Sequence, residues 1–565
     1  MAVSSRRRRR EILSGYLYLA PAVLFIGALI IYPLIKAVQY SLQSWDGIGI
    51  ARWVGLSNYT QVFTNSVERG SLVNLGILLV FYALIPVAVA LIVVNLMRRS
   101  RQRGMGFFRV VYFLPQVIVT VVVAIVWTWL LAPSGPGTVN DLLGTSTPWL
   151  GNFNWALPAI GLVAAWLDFG LAFVLLLPGI QRIPPELFDA ARVDGAGIIR
   201  EFFQITLPML RRDIAAAITI TAVAALQSFT LIYQATDGGP GYVTMVPGLL
   251  IYRDAFQLGV VGSASALGIV MTVIIFVITF GVRVLIERKA VLRMLSRTER
   301  IVGLAVLVLA AVVTLYPLIA LVTTALAPSS SSGGLSFGGH PSLRGFSYAW
   351  QAGDFSRYML NTAIVTVTVV LVSAVCAIMS GYAIALAKPP GAKWVLYAAV
   401  FGFMLPVEAL IVPWYYEFRT FNVVNTYWAM ILPQVAQSIA FGTFWMYVAF
   451  RSVPPSLAES ARMDGASSFS LLWRILVPNV APAVKTMAAL VFLWTWNSFL
   501  LPLVMISNSS LYTVTVGLSV FQGAHFNNYS ALAAGSCLAA LPVVVVYLFA
   551  QRSFIKGIFA GSLVE

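Results

Sequence analysis

The chain has 565 residues, of which 59% are hydrophobic and only 10% charged, against about 25% charged in an average soluble domain. So much apolar sequence carrying so little charge excludes a water-soluble globular protein, and the formal net charge of +16 has to be understood inside that constraint. Cys376 and Cys537 fall within apolar stretches and read as free buried thiols. His340 and His525 stand in different loops, which excludes a metal site built on them.

In chain order the apolar residues collect into twelve runs of ~20 residues or more, each long enough to cross a hydrocarbon core as a helix. They lie near 15–39, 72–96, 107–132, 156–179, 213–235, 264–286, 301–327, 359–386, 394–418, 427–450, 480–505 and 531–555. Arg6 to Arg10 ahead of the first run mimic a secretion signal. That run exceeds a signal's apolar stretch and shows no convincing cleavage site, so it is read as the first helix. With an inside amino terminus and twelve crossings, most of the 36 lysines and arginines fall on cytoplasmic segments. The densest groups are Arg98, Arg99, Arg101 and Arg103, and Arg288, Lys289, Arg293, Arg297 and Arg300. This bias accounts for the positive charge without nucleic acid as a partner. It predicts a multi-pass protein of the cytoplasmic (inner) membrane, contacting lipid, with both termini inside.

The chain is also a repeat. Residues 184–208 overlie 454–478 at a constant offset of 270, pairing Pro184 with Pro454, Pro185 with Pro455, Leu187 with Leu457, Ala191 with Ala461 and Arg192 with Arg462. The match continues through Asp194-Gly195-Ala196 and Asp464-Gly465-Ala466 to Ile205 with Ile475 and Pro208 with Pro478. Both segments lie between the fourth and fifth runs of a six-run half, so both emerge on the same side and the halves are parallel repeats. The expected fold is an all-α polytopic membrane protein. Residues 1–286 form the first half, 287–300 a cytoplasmic linker and 301–565 the second half; the segment opening at Pro328-Ser329 is a loop by composition.

Each matched segment reads as a short helix outside the membrane. Pro185 or Pro455 suits its first turn, Glu186 and Asp189 its positive amino end, and Gly195 or Gly465 its stop. Small residues, Ala190, Ala191, Ser460 and Ala461, would allow another surface to come close. The alternative is an ordinary amphipathic connector, which has no need to recur with the same residues.

Asp189-Ala190-Ala191, Gly195, Ile205 and Leu207-Pro208 resemble the EAA loop of ABC importer permeases, and Glu459-Ser460-Ala461, Gly465, Ile475 and Val477-Pro478 repeat its spacing. Asp189 replaces the leading glutamate, Ser460 the middle alanine and Val477 the leucine. Val54-Gly55-Leu56-Ser57-Asn58-Tyr59, Phe108-Arg109, Leu114-Pro115, Gly137 with Asn140, and Asp237-Gly238-Gly239-Pro240 are similar to the first permease of maltose- and glycerophosphate-type importers. Tyr358 with Asn361, Gly381-Tyr382-Ala383, Asn425-Thr426 and Val516-Gly517-Leu518 are similar to the second, so the resemblance is to two permeases joined in one chain.

The resemblance implies a type I ABC importer fold and ATPase docking through Asp189, Ala190, Ala191, Asp194, Gly195, Glu459, Ser460, Ala461, Asp464 and Gly465. It also implies two cytoplasmic ABC ATPase subunits and an extracellular or periplasmic substrate-binding protein. No phosphate-binding loop is present, since Gly238-Gly239-Pro240-Gly241 lacks the lysine; ATP and Mg²⁺ are expected on the partner ATPase, with no cofactor in this chain and no enzymatic role.

Ionisable side chains near mid-membrane need a reason, and Asp168 and Glu408 qualify, either as acceptors for the hydroxyls of a sugar or related polyhydroxylated solute or as structural polar contacts between helices. The resemblance favours Asp168 and adds Gln116, Thr120, Thr221, Gln227 and Ser228. The four-residue spacing of 116 and 120 and the seven-residue spacing of 221 and 228 are consistent with one inward helix face. Trp127, Trp129, Trp166, Trp494 and Trp496 could stack on a sugar ring but suit packing equally well. A secondary transporter would not need the repeated loop, and a membrane enzyme would want clustered outer acids, whereas Asp46, Glu68, Asp141, Asp237, Asp254 and Asp354 are dispersed.

Overall fold

The computed structural model describes residues 2–100, 105–133, 137–193, 196–286, 299–327, 341–524 and 528–561; the core of the predicted linker at 287–298, Asp194, Gly195, His340 and His525 lie outside the described residues. The described chain is helical apart from one antiparallel pair, Gln43–Ser44 with Arg52–Trp53. Each of the twelve apolar runs is occupied by helix, and these are numbered α1 to α12. They are α1 (Ile12–Ser41), α2 (Ser66–Arg98), α3 (Val110–Val117 and Thr120–Leu130), α4 (Ala156–Gln181), α5 (Arg211–Leu226 and Thr230–Ala235) and α6 (Val261–Gly281). The second half supplies α7 (Leu307–Ala325), α8 (Phe355–Ala387), α9 (Ala392–Met404 and Val407–Thr420), α10 (Tyr427–Arg451), α11 (Ala481–Trp496 and Leu500–Met505) and α12 (Tyr529–Ala550). Among the described residues seven helices are long and apolar enough to cross a membrane unbroken, or ten when each bent pair counts as one.

Four of the runs are not straight helices. α3 turns by 101° at Ile118–Val119 and α9 by 98° at Leu405–Pro406. In α9 the cause is direct: Pro406 forces Leu405 out of the helical region, and the two adopt ψ 129 and 141 before helix resumes at Val407. In α3 the helix carrying Pro115 closes on the bond from Ile118 N to Pro115 O, and Val119 is extended with ψ 126. α5 and α11 unwind at Gln227–Phe229 and Asn497–Phe499. These breaks overturn the single-face reading of the candidate residues. Gln116 and Thr120 lie on opposite sides of a right-angle bend, and Ser228 lies beyond the helix that carries Thr221, so neither spacing measures a helix face.

Prolines also widen helices without breaking them. Five- or six-residue π-turns end two residues before Pro33, Pro86, Pro208 and Pro478, because a proline ring crowds the carbonyl four residues back and supplies no N–H to it. The carbonyl freed by Pro33 is that of Leu29, and the fully buried Trp414 donates Nε1–H to it at 2.7 Å.

The chain forms two compact units whose bounds differ from those of the repeats. One contains residues 1–54, 357–516 and 545–565; the other contains 55–356 and 517–544. In the first, α1 packs on α10, the end of α8 and the first part of α9. In the second, α4 packs against α2, α3 and α5, with α7 laid over α2 and α3. The first helix of each sequence half therefore belongs with helices of the other half. Buried asparagines fasten the loops. Asn140 donates to Ala132 O and Thr147 O and accepts from Thr145, Thr147 N and Trp149 Nε1. Asn361 donates to Ser510 O and Tyr512 O and accepts from Tyr427.

Close helix approach depends on small residues, as is usual where apolar burial from water is absent. A Cβ on Gly170 of α4 would stand 2.5 Å from Tyr112 O and 3.0 Å from Phe113 Cα of α3, both backbone atoms that cannot step aside. Gly170→Val is expected to force α3 and α4 apart and cost about 1–3 kcal/mol, read as a lowered unfolding midpoint of the purified chain in detergent; an unchanged midpoint would refute the close-packed contact.

Candidate functional site

The two matched loops fold alike. Pro185–Val193 and Pro455–Met463 are nine-residue helices. The second ends in a Schellman closure: Gly465 adopts φ +82, its N–H binds Arg462 O at 3.2 Å, and Ala466 N binds Ala461 O at 3.0 Å. The first carries the equivalent bond, Ala196 N to Ala191 O at 2.8 Å. Helical periodicity decides which side chains face out. Phe188 and, 270 residues on, Ala458 are buried, and Ala461 is buried with Ala458, so this small residue faces the chain's own core. Asp189, Ala190, Glu459, Ser460, Asp464 and Gly465 are exposed, Ala191 is half-buried, and Asp194 and Gly195 lie outside the described residues.

Sequence reasoning missed the most telling surface feature. Val193 and Met463, matched at the same offset, are 89% and 85% exposed at the ends of the two helices. The offset already aligned them, and only their exposure was missing.

The loops differ in how they are held. Phe188 belongs to the apolar core with Met97, Tyr112, Phe173 and Leu176. The Arg98 guanidinium lies 3.3 Å from the Phe188 ring centroid and pairs with buried Glu201 at 3.3 Å. Arg182 pairs with Asp213 at 2.6 Å across the loop's base. The positions matching Phe188, Glu201, Arg182 and Asp213 are Ala458, Leu471, Ser452 and Ala483, so the second loop has none of these ties.

Several buried polar atoms on the spanning helices of the second unit have no hydrogen-bond partner, among them Asp168 Oδ2, Gln116 Oε1 and Trp127 Nε1, and also Gln234 Oε1, Ser265 Oγ, Thr279 Oγ1, Tyr316 Oη and Ser536 Oγ. Asp168 is only 2% exposed and sits in the unbroken α4. Tyr82 of α2, absent from the sequence candidates, lies beside both Asp168 and Ser228 and joins α2, α4 and the unwound part of α5 in one polar cluster. Gln116 ends the first part of α3 and Thr120 begins the second, both half-buried; Gln227 is half-buried at the break in α5. Thr221 turns its hydroxyl onto Ala217 O at 2.8 Å, a bond within its own helix. Trp127 and Trp166 meet edge-on at 5.6 Å, and Trp166 donates to Val313 O. Trp129 packs on Tyr529, Trp494 on Phe441 and Trp496 on Phe492.

Glu408 belongs to the other unit. It lies in the first turn of the second part of α9, beyond the 98° bend. There a carboxylate faces the unpaired N–H groups of a helix start, which favour negative charge. The same unit contains Asn497, whose buried Oδ1 is unpartnered, and Ser498, whose carbonyl accepts from Thr515. Extending the 270-residue offset from Gln227-Ser228-Phe229 finds Asn497-Ser498-Phe499.

Known proteins match each half in turn. The profile of the family described as binding-protein-dependent transport system inner membrane component matches residues 87–291 and again 375–558. The probable ABC transporter permease protein YurN of Bacillus subtilis is 33% identical over 268 residues, 46% of this chain and 91% of the relative. The arabinooligosaccharides transport system permease protein AraQ of Halalkalibacterium halodurans is 31% identical over 259 residues, covering 45% and 92%. A solved bacterial ABC transporter involved in the import of the acidic polysaccharide alginate aligns with a TM-score of 0.42 at 23% identity, over 52% of this chain and 100% of that one.

Phe188→Ala is expected to cost about 3–5 kcal/mol locally. It should speed proteolysis within 185–208 while leaving 455–478 unchanged, since the second loop has alanine there already. Equal protection of the first loop in variant and wild type would show that Phe188 does not anchor it.

Proposed function

The chain belongs to the family of binding-protein-dependent transport system inner membrane components, and we propose that it carries a sugar or related polyhydroxylated solute inward by alternating access. As a member it is a transport permease and not itself an enzyme. The observation that carries the reading is the pair of matched short helices, each closed the same way and each presenting a bare apolar residue, Val193 or Met463. Two such surfaces suit two copies of one partner, the ATPase subunits that bind ATP and Mg²⁺ on the cytoplasmic side. A substrate-binding protein delivers the solute on the other. The matched relatives include an arabinooligosaccharide permease, which favours a polyhydroxylated cargo.

For such a cargo the buried cluster has the right chemistry. A carboxylate and an amide oxygen accept hydroxyl protons, and the Ser228 and Tyr82 hydroxyls can donate or accept. Losing one contact leaves a cargo hydroxyl unpaired in a desolvated site, at about 1–3 kcal/mol.

In vesicles holding the chain, its ATPase and its binding protein, uptake should require both ATP and the binding protein. Uptake driven by an ion gradient without them would overturn the reading. Asp168→Ala should weaken uptake roughly tenfold or more, the equivalent of that loss, at normal protein level, and Asp168→Asn should recover part of it because the amide oxygen still accepts. Normal transport by Asp168→Ala would remove the residue from the site. Gly465→Val meets no neighbour but must hold φ +82, a conformation that disfavours β-branched residues. It should unwind the second helix's end and reduce ATPase co-purification with the chain still folded; undiminished co-purification would count against that loop as a dock.

A further inference from the structure

At the end of α2 remote from the first loop lies a cavity of about 420 Å³, within the unit formed by residues 55–356 and 517–544. Thirty residues of helix separate Glu68 from Arg98, or about 45 Å at the helical rise, so the cavity and the loop occupy opposite ends of the spanning helices. Gln61, Glu68, Tyr242, Arg253, Asp254 and Gln257 are among its walls. Glu68 is 3% exposed; its Oε1 accepts from Ser263 at 3.2 Å and its Oε2 has no hydrogen-bond partner. Asn65 caps the start of α2 through Val67 N and Glu68 N.

The charge in this cavity is unbalanced. Arg253 is engaged elsewhere, donating to Asp237 O at 2.6 Å and pairing with Asp237 Oδ2 at 2.9 Å. Glu68 and Asp254 therefore share one wall with Arg253, whose guanidinium is already paired with Asp237. Burial first and the neighbouring Glu68 second push Asp254 up to about 7, against the lowering effect of Arg253.

We propose that this cavity is a binding site for an organic cation, an ammonium or guanidinium group. Buried charges are normally paired, and the orphan oxygen of Glu68 with the adjoining Asp254 supplies the acceptors such a group needs. The Gln257 side chain adds a neutral acceptor, Gln61 stands in hydrogen-bond contact with Glu68, and the exposed Tyr242 offers an aromatic face. The volume falls in the range of small-molecule sites. A bare divalent metal fits less well: Ca²⁺ takes six to eight oxygens at close range, and no group of three or more His, Cys, Asp or Glu side chains converges among the described residues. The cation can be a free solute or a basic side chain of the docking binding protein; the second source rests on the function proposed above and the first does not.

The test uses the purified chain in nanodiscs and agmatine as probe, with CaCl₂ as a parallel titrant. Saturable agmatine binding is expected, weakened at least tenfold by Asp254→Asn and by Glu68→Gln. It should also be weaker at pH 6 than at pH 8, where Asp254, flanked by Glu68 and Arg253, has lost its proton. If Glu68→Gln does not accumulate as a folded protein, Asp254→Asn decides. Agmatine that blocks association of the binding protein identifies a side chain as the source, and agmatine that binds without blocking identifies a free solute. No saturable agmatine binding, binding that both variants retain, or Ca²⁺ binding alone overturns the proposal.

Discussion

Inside a membrane every backbone N–H and C=O must be satisfied by the protein itself, and this constraint organises the whole chain. Straight helices meet it unaided. Wherever the chain departs from a straight helix, another group has to supply the missing bond, and the departures recur at matched places in the two halves. The carbonyl released above Pro33 is taken by Trp414, and that of Ser498 in the unwound part of α11 by Thr515. Irregular backbone at these depths is tolerable only where protein or a polar cavity surrounds it. The bends in α3 and α9 and the gaps in α5 and α11 therefore localise where the interior is polar.

Duplication does not make the halves equal. The first loop is tied to its unit by an aromatic anchor, a guanidinium stacked on that anchor, and two ion pairs, one with a nearly buried carboxylate. The second rests on alanine and leucine at the same positions. Phe188 thus ties the first loop to the core around α2 and α4, the helices that carry Tyr82 and Asp168. The asymmetry is energetic, since the backbone path of the two loops is nearly the same.

The twelve runs, the helical class and the repeated loops were legible in the sequence because they depend on length, composition and period, all local properties. Pro185, Pro455 and Gly465 signalled helix ends through their own backbone restrictions. The interruptions were not legible. A run such as 107–132 reads as one helix on hydropathy, and Pro115 alone does not distinguish a kink from a right-angle turn. Tyr82 escaped notice because a lone tyrosine in an apolar helix is ordinary until its neighbours are known. Exposure of Val193 and Met463 and the division into compact units are tertiary facts. Asn140, Asn361 and Asn425, which carried the family resemblance, turn out to satisfy loop backbone, Asn425 by accepting from Ser507 N and Asn508 N, so their residue type follows from that need.

Asp168 and Glu408 were one kind of candidate in the sequence and are two kinds in the structure. Glu408 stands at a helix start, where free N–H groups and the helix dipole supply a reason for a buried acid without any ligand. Asp168 stands well inside an unbroken helix whose N–H groups are already spent on its own carbonyls, although both acids keep one buried oxygen without a hydrogen-bond partner, Asp168 Oδ2 and Glu408 Oε2. The Asp168 neighbours Tyr82 and Ser228 come from separate helices, one of them unwound at that level. A purely structural acid would be expected to find a donor there, because an unmet acceptor in a dry interior costs more than most single packing contacts gain. Asp168 Oδ2 therefore keeps an acceptor open beside the Tyr82 and Ser228 hydroxyls, in a polar group drawn from three separate helices.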